Sequence, residues 1–142
     1  MTEVVKAKIN FINFTVRESH IVFKEQGKYK ISLAFAPKGF IFQSLSQYHI
    51  VLDVQAKDEE DKFQIDLKTV SIFEYDGNAD LDQLVNNEFT LNAPAIVFPY
   101  LRAYISSLTA LSGMPTLVLP TLNMSHIGEE LKKNIKIASE KE

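Results

Sequence analysis

Apolar and polar residues alternate through the first half of the chain with period two, the signature of β-strands that bury one face. From Lys8 the alternation runs through Ile9 and Phe11, then changes parity to Ile12, Phe14 and Val16, which predicts a bulge around Phe11 and Ile12 in a strand extending to Ile21 and Phe23. After a turn at Gly27, Tyr29, Ile31, Leu33 and Phe35 share one face of a second strand, which Pro37 and Gly39 are expected to end. Tyr48, Ile50, Leu52 and Val54 mark a third strand whose opposite face, His49, Val51 and Asp53, is mixed. Residues 57–62 read as a solvated hairpin turn. Phe63, Ile65, Leu67 and Thr69 mark a fourth strand, and its parity becomes ambiguous from Val70 to Phe73.

The period then changes. Between Ala95 and Leu111, Ile96, Val97, Tyr100, Leu101, Tyr104, Ile105, Leu108 and Leu111 recur at three- and four-residue spacing, predicting a long helix with one broad apolar face. Pro94 fits its start, Pro99 implies a kink or restart, and Gly113 a left-handed stop. A shorter helix is expected over Leu81–Glu88. Ile127, Leu131 and Ile135 predict a short amphipathic helix between about Ser125 and Lys136, its first turn weakened by Gly128. Strands followed by helices predict an α+β fold: a four-stranded antiparallel sheet with a long helix and a short C-terminal helix packed on one face. Residues 1–142 read as a single domain with 138–142 a frayed tail.

Two connections are more apolar than a solvated loop should be. One is Phe40, Ile41 and Phe42, in an expected link of about ten residues between strands; the other is Met114 to Pro120, after the long helix. Both could close the core. Alternatively, they wall an exposed apolar groove, since contiguous exposed apolar area marks a binding surface.

Phe98-Pro99-Tyr100, Arg102, Ile105-Ser106 and Gly113-Met114-Pro115, followed by Leu117, Leu119, Pro120 and Asn123, resemble the SecB family of protein-export chaperones. The likeness extends along nearly the whole chain, in pattern more than identity over the N-terminal half. It implies a protein that binds unfolded or precursor polypeptides in apolar grooves and holds them competent for translocation. It also implies a homotetramer built as a dimer of dimers through first-strand edges and the long helix. On this resemblance Phe40, Ile41, Phe42, Met114, Leu117, Leu119, Ile127 and Leu131 are the expected client contacts, and Tyr100, Tyr104 and Leu108 the expected oligomer interface.

Composition sets independent bounds. With 46% hydrophobic and 23% charged residues the chain is ordinary for a globular protein, and no apolar run reaches membrane-spanning length. MTEVVKAKIN lacks the apolar core of a signal peptide, so a cytoplasmic location is expected. There is no cysteine, which excludes disulfide and thiolate chemistry. His20, His49 and His126 lie far apart without metal-ligand spacing, and the acidic run Asp58 to Asp61 lacks the glycine and terminal glutamate of a calcium loop. No phosphate-cradling glycine motif or nucleophile elbow occurs, so neither an enzyme nor a cofactor or metal site is expected.

Charge changes the picture at one place. Residues 1–40 carry a balance of +4 and the remainder −7, giving −3 overall, which disfavours nucleic acid as a partner. Export chaperones of this family dock the motor SecA through acidic sheet residues, including a D-I-S-F-E-like segment. Here His20-Ile21-Val22-Phe23-Lys24 stands in its place, leaving Asp66 as the acid of a motor-docking face made of His20, Lys24 and Asp66. Reversing the sign at Lys24 opposes a positive partner. The alternatives are a SecB-like chaperone dedicated to another client, such as an antitoxin, or an adaptor that keeps the fold without docking SecA.

Overall fold

The computed structural model describes residues 9–77, 80, 82 and 88–138. The elements run β1 (Ile9–Phe23), β2 (Ile31–Phe42), a single 3-10 turn (Gln43–Leu45), β3 (Gln47–Asp58), β4 (Phe63–Tyr75), α1 (Glu88–Leu111), α2 (Ser125–Lys132) and β5 (Ile135–Ile137). The short helix expected over Leu81–Glu88 lies outside the described residues, apart from Asp82 and Glu88.

The four alternating segments form the sheet expected of them, but the sheet has five strands in the order β1-β4-β3-β2-β5. It is mixed rather than antiparallel. Residues 135–137, read as the end of the last helix, pair in parallel with Gly39, Phe40 and Ile41 of β2. The expected stop at Pro37 and Gly39 is also corrected: β2 continues to Phe42, and its link to β3 shrinks to residues 43–46. Phe40, Ile41 and Phe42 therefore belong to a strand, not a loop. Two local facts explain why the breakers do not break. Pro37 lies on β2 outside the β5 pairing, where the missing N–H need cost no ladder bond. A Cβ on Gly39 would stand 3.0 Å from Ile135 and 3.1 Å from the Tyr48 ring, so glycine is what lets β5 close on the sheet.

In β1 the register slips between Phe11 and Asn13, as the parity change predicted, and again between Val16 and Glu18. Each extra residue returns the following apolar side chains to the helix-covered face. That face carries Tyr48, Ile50, Leu52, Phe63, Ile65 and Phe73, all buried. The crossing from β1 to β2 is tied down by Asp58, which is buried and accepts the backbone N–H of Lys30 at 2.9 Å and of Lys62 at 3.0 Å. Burial alone would raise its pKa. The N–H groups of Lys30, Lys62 and Glu60 and the Lys62 ammonium outweigh that and hold the carboxyl below its ordinary value.

α1 begins before both prolines, so Pro94 is internal rather than initial, and Pro99 also lies within the one continuous helix rather than restarting it. Its stop is as expected: Gly113 has φ +78°, and the Met114 N–H reaches back to the Thr109 carbonyl at 3.1 Å, closing a Schellman-type end. α2 packs on α1 at Gly128, where a Cβ would fall 2.0 Å from the carbonyl oxygen of Leu91. No helix among the described residues is long and apolar enough to cross a membrane.

Candidate functional site

The broad apolar arc of α1 is wider than one sheet can cover, and the structure divides it. Val97, Leu101 and Ile105 are buried against the core, whereas Ile96, Tyr100 and Leu111 are exposed, Leu111 at 88%. Tyr104 and Leu108 are half-buried. Tyr100, 48% exposed, packs its ring edge-on to Phe11 at 4.7 Å and stacks near Phe14 at 6.0 Å. Tyr100 thus stands beside β1, the edge strand of the sheet, and Tyr104 and Leu108 follow it at four-residue spacing along the helix.

On another side of α1, the segment leading to α2 folds back and leaves a cleft of about 570 Å³. Phe98, Pro99, Arg102 and Ser106 of α1 line it, with Thr121, Leu122 and Met124 opposite. This volume lies within the roughly 300–1,000 Å³ usual for binding clefts. The folded-back segment is held by α1 itself. Ser106 Oγ donates to the Leu117 carbonyl at 2.9 Å, and the Leu117 N–H donates to Thr109 Oγ1, also at 2.9 Å. Met114 and Leu119 are buried, while Val118 faces out. Pro99 has no N–H to give the Ala95 carbonyl, so the helix loses one internal bond at the cleft wall.

The expected client contacts do not come together. Ile41, Met114, Leu119 and Leu131 are buried in the core and offer no surface. Leu117 and Ile127 are half-buried beside the helices. Phe40 and Phe42 stand opposite His49 and Gln47 on the outer face of the sheet, away from the helices. The cleft residues Phe98, Pro99 and Leu122 were not singled out as a site by sequence. Their signal was present, since Phe98 and Pro99 sit in the motif and Leu122 continues the same apolar segment. On the helix side, Ile31, Leu33 and Phe35 of β2 also remain half-buried.

His20 and Asp66 are direct cross-strand partners, and with Glu18, Asp53 and Lys68 they border a depression of about 370 Å³ on the outer face. Asp66 accepts from Gln64 at 2.7 Å and Gln55 at 3.1 Å. Asp53 Oδ1 is buried without a hydrogen-bond partner among the described residues. Lys24 does not join them: it pairs with Asp61 of the β3–β4 turn at 2.7 Å. Among the described residues no three His, Asp or Glu side chains are placed to hold a metal ion.

A sheet layered on one side by helices, with an open, largely apolar cleft between α1 and the segment leading to α2, is suited to holding segments of other chains. The comparisons give that class a family. The model of the preprotein translocase subunit SecB matches residues 3–133, and the chain belongs to the SecB family, which are chaperones rather than enzymes. Protein-export protein SecB of Anaplasma phagocytophilum is 28% identical over 91 residues, 61% of this chain and 58% of that protein. The protein of the same name from Anaplasma marginale is 28% identical over 95 residues, 61% of this chain and 54% of that protein. The match therefore spans little more than half the length of these relatives. Among solved structures, a SecB-like chaperone of Mycobacterium tuberculosis, in complex with a ChAD peptide from the HigA1 antitoxin, superposes with a TM-score of 0.68 at 16% identity, covering 82% of this chain and 91% of that one.

Proposed function

We propose that the protein is a cytoplasmic chaperone that binds unfolded polypeptides along the helix side of its sheet and holds precursors in a translocation-competent state. The observation that carries this reading is the cleft between α1 and the proline-rich segment, apolar in its lining yet open, and fixed by hydrogen bonds from α1 rather than by filling with its own side chains. Such a site needs no sequence motif in its client. Apolar burial contributes roughly 25 cal/mol per Å², so several weak contacts on an extended chain sum to useful affinity, whereas a folded protein has few apolar side chains to offer. Phe98, Pro99, Leu117, Leu122 and Ile127 are the contacts proposed, with Ile31, Leu33 and Phe35 continuing the surface along β2. Ile41, Met114, Leu119 and Leu131 support the walls from within.

The active form proposed is a homotetramer, a dimer of dimers. The stripe of Tyr100, which packs on Phe11 and Phe14, with Tyr104 and Leu108 is an apolar surface on which a second copy would pack, and β1 is an edge strand among the described residues. Delivery to SecA is disfavoured by the docking face: Lys24 is committed to Asp61, and His20 and Lys68 dilute the acids around Asp66. A chaperone dedicated to one client is therefore the second reading, and the antitoxin peptide held by the mycobacterial relative gives it a precedent on the same fold. Leu122→Asp combined with Ile127→Asp is the direct test. Affinity for a permanently unfolded polypeptide should fall at least about tenfold while the unfolding transition stays within a few degrees of the parent. Unchanged affinity would place the client elsewhere.

A further inference from the structure

The outer face of the sheet, the one without helices, changes character halfway along. At one end β2, β3 and β4 present Ser32, Ala34, Gln55, Asp53, Asp66 and Lys68, as a solvated face should. At the other end the same three strands present Phe40, Phe42, Val51, Val70 and Ile72, and the adjoining turn adds Leu45, 57% exposed. This is why the third strand looked mixed and the fourth lost its parity: here both faces of the sheet are apolar.

Two depressions meet at Phe40. One, of about 360 Å³, is lined by Phe40, Phe42, Leu45, Val51, Val70 and the bulge residue Arg17, with His49 between them. The other, of about 200 Å³, is lined by Phe40 and Lys38 together with Lys133, Ile135 and Lys136. β5 builds this second depression, because its parallel pairing sets Lys136 directly beside Phe40. Among the described residues no carboxylate lines either one, and Glu74 lies beyond Ile72 at the end of β4. Cations elsewhere on the sheet differ in this respect. Lys24, Lys30, Lys57, Lys62 and Lys68 each lie within 4.0 Å of a carboxylate. Arg17, Lys38, Lys133 and Lys136 have no ion pair among the described residues, although the chain as a whole carries −3.

We propose that this basic, aromatic groove on the outer face is a docking site for an acidic, apolar-rich segment of a partner protein. It is separate from the client cleft, on the opposite side of the sheet. Charge complementarity names the occupant: four cations without an ion pair among the described residues, around half-buried rings, match a segment whose apolar side chains fill the floor while its Asp or Glu residues meet the rim. The groove is recessed into a sheet, with rings lying in its floor rather than projecting, which suits a peptide better than a lipid surface.

The test uses the whole protein and three probes: a soluble peptide with Leu and Phe on one side and Glu on the other, its Lys-for-Glu counterpart, and phosphatidylglycerol–phosphatidylcholine vesicles. Fluorescence anisotropy should show saturable binding of the acidic peptide, weakening steeply as salt rises, and little binding of the basic one. Lys38→Glu with Arg17→Glu should cut that binding at least about tenfold, leaving the unfolding transition and the affinity for an unfolded client unchanged. Phe42→Ser should also weaken it, without altering client binding. Equal binding of both peptides, no effect of the charge reversals, or capture of vesicles without capture of the acidic peptide would each overturn the proposal. Loss of client binding in the Leu122→Asp, Ile127→Asp double variant with acidic-peptide binding retained would show that the two sites stand apart.

Discussion

Gly128 shows how one residue reverses sign between sequence and structure. Read along the chain it weakens a helix, and alanine there would gain about 1 kcal/mol of helix propensity. In the fold its missing side chain is the contact, since a Cβ would sit 2.0 Å from the main chain of Leu91. Backbone cannot swing aside, so Gly128→Ala is expected to cost about 2–3 kcal/mol net, seen as a lower urea midpoint; a higher midpoint would mean α1 and α2 do not meet there. Asp58 gives a second test. Its folded pKa is depressed, so its contribution is fully present above the ordinary carboxyl value of 3.8 and is lost as pH falls from there through the folded value. The parent should therefore lose stability as pH falls below the ordinary carboxyl value, and Asp58→Asn should be less stable at pH 7 with a flatter dependence in that acid range. The sequence placed Asp58 in a solvated run because nothing local marks it as the residue that accepts two backbone donors from segments 28 and 4 positions away.

At the scale of elements, legibility followed the locality of the cause. The four long strands, the bulge at Ile12 and the left-handed Gly113 were readable because alternation, parity and glycine punctuation are local signals. β5 and the extension of β2 were not, because Pro37 and Gly39 break a strand only if their missing N–H or side chain is needed, and neither is needed beside a late-arriving short strand. The proline-rich segment after α1 was correctly marked as unusual, yet its two-sided nature, Met114 and Leu119 inward and Val118 outward, depends on a helix it meets only in space. Thr109 is the hinge of that meeting. Its hydroxyl lies 2.9 Å from the Ile105 carbonyl and receives the Leu117 N–H at 2.9 Å. Thr109→Val keeps the shape but strands that N–H, so it is expected to cost about 1–2 kcal/mol and to speed hydrogen exchange at the Leu117 amide. Unaltered exchange there would mean the segment is held by packing alone.

For the whole molecule, three apolar surfaces remain after the core is built: the stripe of α1 beside β1, the cleft beside the proline-rich segment, and the far end of the outer face. The family could be read from the motif around Phe98 to Tyr100, but the division of labour among these surfaces could not, since helical spacing puts buried Leu101 and exposed Tyr100 on the same arc. Assembly is expected to rest on the first surface. Tyr100→Glu should turn a tetramer into a smaller species by light scattering, with little change in secondary structure, because the ring stands half out of the monomer; an unchanged mass would move the interface off this stripe. The central claim, that the molecule holds unfolded chains, is tested most directly by calorimetric titration with a permanently unfolded, apolar-rich polypeptide against its folded parent, with mass recorded by light scattering. Binding of the unfolded form at micromolar or tighter affinity, and none of the folded form, is the expected result. Failure to bind several unrelated unfolded chains, or equal binding of the folded parent, would contradict it.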